Sequence, residues 1–224
     1  MKILAMIPAR LGSQRLKQKN LRSINGKTLL QLAIEKCKNT KVFDEVWVNS
    51  ESEIIGNVAL ENGAKFHKRP EELANNSATS EDFIYEFLKS NDCTHVVQVH
   101  SIAPLLSQKD IIDFVEKMMV SKANVFLSYE PIQIECAYKN TPINFTFDEK
   151  TNSQDLDLIQ RISWSITGWL KDEYITNYEI GKCASYAGDV DFIPISKLAS
   201  HVIKVEEDLK IAQALYDLVV ENGG

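Results

Sequence analysis

Residues 9–20 read ARLGSQRLKQKN and place Arg10, Gly12, Ser13, Arg15, Lys17 and Lys19 in one short run. Those types together suit phosphate binding. Glycine lets the backbone come close, a serine hydroxyl donates a hydrogen bond, and guanidinium and ammonium groups neutralise charge. The spacing is neither the GxxxxGK[ST] loop nor the GxGxxG fingerprint. A basic run by itself is most often a solvated surface, so its place in the fold decides its meaning. Ile3 to Ile7 is a short apolar run closed by Pro8 and reads as a buried parallel strand. The basic run therefore leaves the carboxyl end of a first strand, which is where open α/β sheets bind ligands.

The elements behind that loop alternate. Residues 28–38 show helical apolar spacing, and Val46-Trp47-Val48 after Asp44 reads as a strand. Residues 53–62 read as a helix ended by Gly63, and residues 64–66 as a short third strand. Residues 80–89 form a further predicted helix, with Ser80 as N-cap and Glu81 and Asp82 in its first turn. A strand over His95 to Val99, a helix over 108–119 and a strand over 125–128 continue the alternation. The pattern predicts an α/β fold, a mostly parallel sheet with helices on both faces, Rossmann-like in arrangement. The regularity fades after Glu130. Residues 131–163 are polar and irregular, with Pro131, Pro142 and the cluster DEKTNSQD, and are expected to form an inserted arm that reaches an acceptor or a second subunit. Residues 206–219 read as a closing amphipathic helix, which completes a single domain over 1–224.

The composition is that of a globular protein, with 44% hydrophobic and 25% charged residues over 224 positions. A net charge of -6 argues against a broad nucleic-acid face and still allows a local basic pocket. Cys37, Cys93, Cys136 and Cys183 are far apart and form no CxxC pair, so zinc is not expected. The opening MKILAMIPAR is too short in its apolar part for a secretion signal, and no run is long enough to span a bilayer. The expected address is the cytoplasm, with neither membrane nor nucleic acid as a partner.

IPARLGSQRLKQKN, followed by Gly26-Lys27, resembles the signature of the sugar-acid cytidylyltransferases: the CMP-sialic acid and CMP-KDO synthetases and their legionaminate and pseudaminate relatives. Ile7, Pro8, Ala9, Arg10, Gly12, Ser13, Arg15, Lys19 and Asn20 carry the match. The resemblance implies a nucleotidyltransferase fold and transfer of CMP from CTP to a sugar acid, with pyrophosphate released. By that likeness Arg10, Ser13, Arg15 and Lys19 hold the CTP phosphates, Ala9, Leu11 and Gly12 complete the nucleotide loop, and Asn20 lies near the ribose. A second stretch, Arg69-Pro70, Glu72-Leu73-Ala74 and Ser77 to Asp82, is similar to the family's RP-x-ELA…S-x-x-D segment. It implies that Arg69, Ala78 and Ser80 read the cytosine; taken singly, Arg69 reads as a surface arginine and Ser80 as a helix cap. Asn152 to Leu156 is similar to the stretch before the family's sugar site. Asn152 and Gln154 are then candidate acceptor contacts, with Trp164 and Trp169 as candidate walls or, equally, core aromatics. The family's enzymes are commonly dimers, so a homodimer that uses CTP and a small-molecule acceptor is expected.

This chain also departs from the family pattern. After Val99 the family carries Gln-Pro-Thr-Ser-Pro-Leu-Arg or Gln-Gly-Asp-Glu-Pro-Leu, where this chain has His100-Ser101-Ile102-Ala103-Pro104-Leu105-Leu106. His100 suits a nucleotide contact, acid–base work near neutral pH, or plain packing. Val202 and Lys204 occupy the two Asp positions that hold Mg²⁺ in the family, and neither side chain ligates Mg²⁺. The metal ligands are therefore unassigned, with Asp189, Asp191 and Asp208 as the carboxylates that could approach. Lys204 is either a point charge for phosphate or a solvated lysine. The expected catalytic set is Arg10, Arg15, Lys19, His100 and Lys204. The departures leave two other readings open: a cytidylyltransferase for a phosphorylated non-sugar acceptor, and a nucleotide-binding protein without turnover.

Overall fold

β1 (Ile3–Pro8) sets the layering. Ile3, Ala5 and Ile7 face one side of the sheet, Leu4 and Met6 the other, and all five are buried. A strand apolar on both faces needs helices on both sides. The structure, a computed structural model, describes residues 1–75 and 77–221. Its further strands are β2 (Glu45–Ser50), β3 (Lys65–Lys68), β4 (His95–Val99), β5 (Val125–Ile132), β6 (Ile159–Leu170) and β7 (Val190–Pro194). These make one seven-stranded sheet in the order β7-β5-β6-β4-β1-β2-β3. The β1–β2, β1–β4, β2–β3 and β5–β7 pairings are parallel, and β6 runs antiparallel to both β4 and β5.

The helices are α1 (Leu29–Thr40), α2 (Glu53–Glu61), α3 (Ser80–Ser90), α4 (Gln108–Val120), α5 (Lys171–Glu179) and α6 (Glu206–Glu221). α1, α2 and α4 bury Leu30, Ile34, Ile55, Ile111 and Phe114 on the Ile3-Ala5-Ile7 face. α3 and α5 bring Ile84, Phe87 and Tyr174 to the Leu4-Met6 face. α6 belongs to neither layer. Its Leu209 and Ala212 pack with Leu16, Ile24, Leu105 and Ile203, so an apolar anchor ties the loop that leaves β1 to the C-terminal helix. Among the described residues no helix is long and apolar enough to cross a membrane.

Thr28 and Ser107 close capping boxes at the starts of α1 and α4. At α3 the cap is Thr79 and not the expected Ser80. Thr79 Oγ1 accepts from the Asp82 N–H, and the Asp82 carboxylate accepts from the Thr79 N–H at 2.7 Å. Gly63 follows α2 with φ +70, the left-handed turn that glycine takes without a steric penalty.

The arm is shorter than 131–163. Residues 131–132 complete β5 and 159–163 begin β6. Residues 133–158 remain irregular apart from a two-residue ladder and a 3-10 turn at Ser153–Asp155. β6 escaped notice because its polar residues are satisfied inside the protein. Ser163 and Ser165 share a hydrogen bond at 2.7 Å, and Ser165 Oγ donates to the Ala199 carbonyl at 2.5 Å. Near the other end of β6, Trp169 is fully buried. It meets Tyr174 edge-on at 5.5 Å and donates Nε1–H to the Ser185 carbonyl at 3.3 Å. Trp169 is thus a core residue and not a wall of an acceptor site.

Candidate active site

The loop after β1 is held open by hydrogen bonds from three directions. Ala9 N–H donates to the Asn49 carbonyl at 3.0 Å, and Leu11 N–H to Glu51 Oε1 at 2.8 Å, both at the end of β2. Asn20 is 6% exposed; its amide donates to the Arg10 carbonyl at 2.9 Å and accepts from Ser101 Oγ at 2.7 Å. Lys19 Nζ donates to the Ile203 carbonyl at 2.9 Å. Asn20 therefore works as a clamp between the loop and the segment after β4. Arg10, Ser13, Gln14, Arg15, Lys19 and Asn20 line a cleft of about 170 Å³. Burial, followed by the charges of Arg15 and Arg10, pushes the Lys19 ammonium down to about 8. Such crowding of like charge prepares a site for an anion. A Cβ at Gly12 would meet nothing within 4 Å, so the loop backbone is approachable there.

A second pocket, of about 250 Å³, shares Arg10 with that cleft and is lined also by Arg69, Asn75, Ala78 and Phe83. Arg69 is 2% exposed and is not a surface arginine. Its Nε donates to Asn49 Oδ1 at 2.5 Å and Nη2 to the Asn49 carbonyl at 2.9 Å, while the guanidinium lies 4.1 Å from the centre of the Phe83 ring. Among the described residues Nη1 makes only a 3.5 Å contact, to the Leu73 carbonyl. Burial lowers its pKa to about 10, which leaves it charged at pH 7. Ser80, exposed as the first residue of α3, does not line the pocket.

His100 follows β4 as expected, and its state bears on the three readings left open for it. Nε2 is buried and has no hydrogen-bond partner among the described residues. Burial, and then the neighbouring Lys19 charge, lower its pKa to about 4. His100 is therefore neutral at pH 7, unsuited to proton exchange there but able to make a neutral contact. Buried Lys36 on α1 donates to the Pro104 carbonyl and steadies the segment after β4.

A cavity of about 480 Å³ opens beside the 202–204 segment, and Glu130, Arg161, Trp164, Lys197, Ser200 and Lys204 are among its lining residues. Trp164 meets Tyr186 edge-on at 6.0 Å. Asn152 and Gln154 lie elsewhere, exposed in the arm. Asn152 bonds Asp155 at 3.4 Å, and the Gln154 carbonyl accepts from Gln133 at 2.9 Å. Glu130, Arg161, Lys197 and Ser200 were not anticipated from the sequence. The only signal for Arg161 is the polar–apolar alternation from 161 to 167.

The residues present do not fit a protein-held Mg²⁺ ion. Among the described residues no group of three or more His, Cys, Asp or Glu side chains is placed to hold a metal. Asp208 lines the cavity, but its Oδ2 accepts from the Lys204 and Val205 N–H groups at 2.7 and 2.9 Å and caps α6. Asp189 and Asp191 do not approach the site. Asp191 lies in β7 and Asp189 just before it, level with the amino end of β5, whereas the cavity opens toward the carboxyl ends of these strands, around Glu130.

The cytidylyltransferase family model matches residues 4–166. The pseudaminic acid cytidylyltransferase of Campylobacter jejuni subsp. jejuni serotype O:2 is 33% identical over 194 residues, covering 78% of this chain and 83% of that protein. The N-acylneuraminate cytidylyltransferase of Escherichia coli O18:K1:H7 is 45% identical over 83 residues, which is 37% of this chain and 20% of that protein. Among solved structures, CMP:2-keto-3-deoxy-manno-octonic acid synthetase complexed with CTP superposes with a TM-score of 0.75 at 16% identity, over 97% of this chain and 99% of that one. The 4-diphosphocytidyl-2C-methyl-D-erythritol synthase of Anaerococcus prevotii gives 0.68 at 14% identity, over 96% and 98%. At such identities the two superpositions establish the fold.

Proposed function

Because this chain belongs to the cytidylyltransferase family, we propose that it moves CMP from CTP onto a sugar acid and releases pyrophosphate. The observation that carries this reading is the junction of three clefts beyond the carboxyl ends of the parallel strands. Arg10 lines both the basic cleft and the Arg69 pocket, while Lys19 is bonded to Ile203, whose neighbours Val202 and Lys204 line the large cavity. An acceptor oxygen attacks the α-phosphorus, the bond to the β-phosphate oxygen breaks, and pyrophosphate leaves. The protein's task is alignment and charge neutralisation. Arg10, Ser13, Arg15 and Lys19 take the triphosphate, with the backbone of Ala9, Leu11 and Gly12 around it. Arg69 and Ala78 take the base, His100 offers a neutral contact, and Lys204 adds an exposed cation at the cavity mouth.

Three cations in the cavity, Arg161, Lys197 and Lys204, also suit a phosphorylated acceptor. Pyrophosphate release from CTP separates the two readings. We expect it with pseudaminic, N-acylneuraminic, legionaminic or KDO acid. Release with phosphorylated acceptors and with none of these acids would overturn the sugar-acid reading.

Mg²⁺ is expected to bind weakly to the free protein and to enter with the nucleotide, whose phosphates supply the oxygens that the chain lacks. Lys204→Asp is expected to strengthen Mg²⁺ binding, and Lys204→Ala to weaken CTP binding in chelator. A tight Mg²⁺ isotherm from the free wild-type protein would contradict the first expectation.

A homodimer is also expected. The arm exposes Ile134, Tyr138, Ile143, Phe147 and Leu158, a concentration of large apolar side chains that suits a partner surface. Light scattering at micromolar concentration should give the mass of two chains of 25.4 kDa. The mass of one chain would refute it.

A further inference from the structure

The large cavity holds a charge pair to which the transfer chemistry above gives no role. Glu130, near the carboxyl end of β5, is 7% exposed; Arg161 stands opposite it on β6, with a side chain 56% exposed. Arg161 Nη2 donates to Glu130 Oε2 and, at 2.8 Å, to Ser200 Oγ. Ser200 Oγ donates to the same carboxylate oxygen at 2.6 Å, which closes a triangle. Burial opposes the charge on Glu130, but the bonds from Ser200 and Arg161 prevail and hold its carboxyl below the usual range. A desolvated carboxylate is costly, and it is well spent where it orients a group that has another task.

The triangle grips the guanidinium through one nitrogen. Among the described residues, every side-chain hydrogen bond of Arg161 is made by Nη2. Three of the five donors of the fork, on Nε and Nη1, therefore remain for an occupant of the cavity. The β6–β5 register breaks directly after this position, between Ile162 and Thr167, and irregularities of this kind re-aim side chains. Glu130 behind the guanidinium offsets part of its charge. The remaining field matches a monoanion better than a phosphate dianion, which Glu130 would repel.

We propose that Arg161 selects an acidic acceptor by binding its carboxylate, with Glu130 and Ser200 as positioning residues that fix the guanidinium on the cavity wall. This rests on the reading of the cavity as the acceptor site. Lys204 stands close enough to Lys19 for its charge to be felt there and is assigned above to the nucleotide side; Lys197 is the competing cation and supplies the control.

The experiment compares a sugar acid with its carboxamide as acceptors for wild type, Arg161→Met, Arg161→Lys, Glu130→Gln and Lys197→Met. Loss of a hydrogen bond to a charged group predicts that Arg161→Met raises the KM for the acid ~10- to 150-fold, with the KM for CTP unchanged. The same variant leaves the carboxamide unaffected, so the acid-to-carboxamide ratio collapses toward one. Arg161→Lys restores part of that ratio. Glu130→Gln lowers it without abolishing it, as a positioning role requires. Equal losses for acid and carboxamide in Arg161→Met, or a ratio that collapses only in Lys197→Met, overturn the proposal while acceptor turnover by wild type stands. If wild type turns over no sugar acid but still binds CTP, the reading of the cavity falls and takes this proposal with it.

Discussion

Alanine at Lys19 is expected to weaken CTP binding by about 1.5–3 kcal/mol, the range for hydrogen bonds to charged groups. Arg15→Ala should act in the same direction. Lys19 lies where the loop after β1, the segment after β4 and the start of α6 converge, and its ammonium is fixed by the Ile203 carbonyl at 2.9 Å. Its charge is disfavoured in the free protein by burial, Arg15 and Arg10. A phosphate beside it reverses that bias and raises its pKa again. Titration calorimetry in two buffers of different ionisation enthalpy reads both effects. Affinity should be full below pH 8 and decline above it, with proton uptake on binding near pH 9 that Lys19→Ala abolishes. Unchanged CTP affinity in both Lys19→Ala and Arg15→Ala would remove the loop from phosphate binding.

The same group makes a statement about folding. The Lys19 pKa is about 8 in the folded protein against 10.5 for the free side chain. The unfolded chain therefore binds more protons between those values, so this group's penalty is full below pH 8 and is relieved as pH rises toward 10.5. Charged Lys19 is a cost that the empty protein carries and the anion offsets.

The nucleotide loop was legible because its signals are local. A both-faces-apolar strand, a basic run and a capped helix follow one another within forty residues, and β1 begins at the expected residue. The acceptor side was not, because its signals are long-range. Glu130 and Arg161 are 31 residues apart, and only the antiparallel register of β5 and β6 sets them face to face. β6 itself was hidden by buried serines, whose hydroxyls find partners that no local pattern announces. The metal reading turned on direction. Asp189 and Asp191 have suitable chemistry, but they stand at the amino end of β7, and the cavity lies at the carboxyl ends of β5 and β7. His100 was placed correctly, but three readings of it stayed open, because the burial that favours a neutral imidazole is a property of the packed neighbours.

Arg69→Ala is expected to cost stability and base discrimination together, and the two can be separated. The side chain is 2% exposed and satisfies Asn49 Oδ1, an atom of a fully buried residue whose Nδ2 has no partner among the described residues. Truncation strips Asn49 Oδ1 of that donor, a loss of about 1–3 kcal/mol for an unsatisfied buried polar group. The Asn49 carbonyl keeps the Ala9 N–H, so the end of β2 stays tied to the loop. The second effect belongs to Nη1, whose 3.5 Å contact with the Leu73 carbonyl leaves it available to the pocket that Ala78 and Phe83 help to form. A donor there suits the O2 of a pyrimidine. O2 is common to cytosine and uracil, so the variant should lose CTP and UTP by the same factor, ~10- to 150-fold for a hydrogen bond to a charged group. ATP offers no such carbonyl, and its weak binding should be unchanged. The choice of cytosine over uracil then belongs to groups facing N3 and N4, which the backbone around Asn75 and Ala78 can supply. Urea denaturation measures the first effect, and nucleotide titrations well below the melting temperature measure the second. A destabilised variant that keeps the wild-type CTP-to-ATP ratio would make Arg69 a structural residue only, and a wild-type protein that binds ATP as tightly as CTP would remove base reading from this pocket altogether.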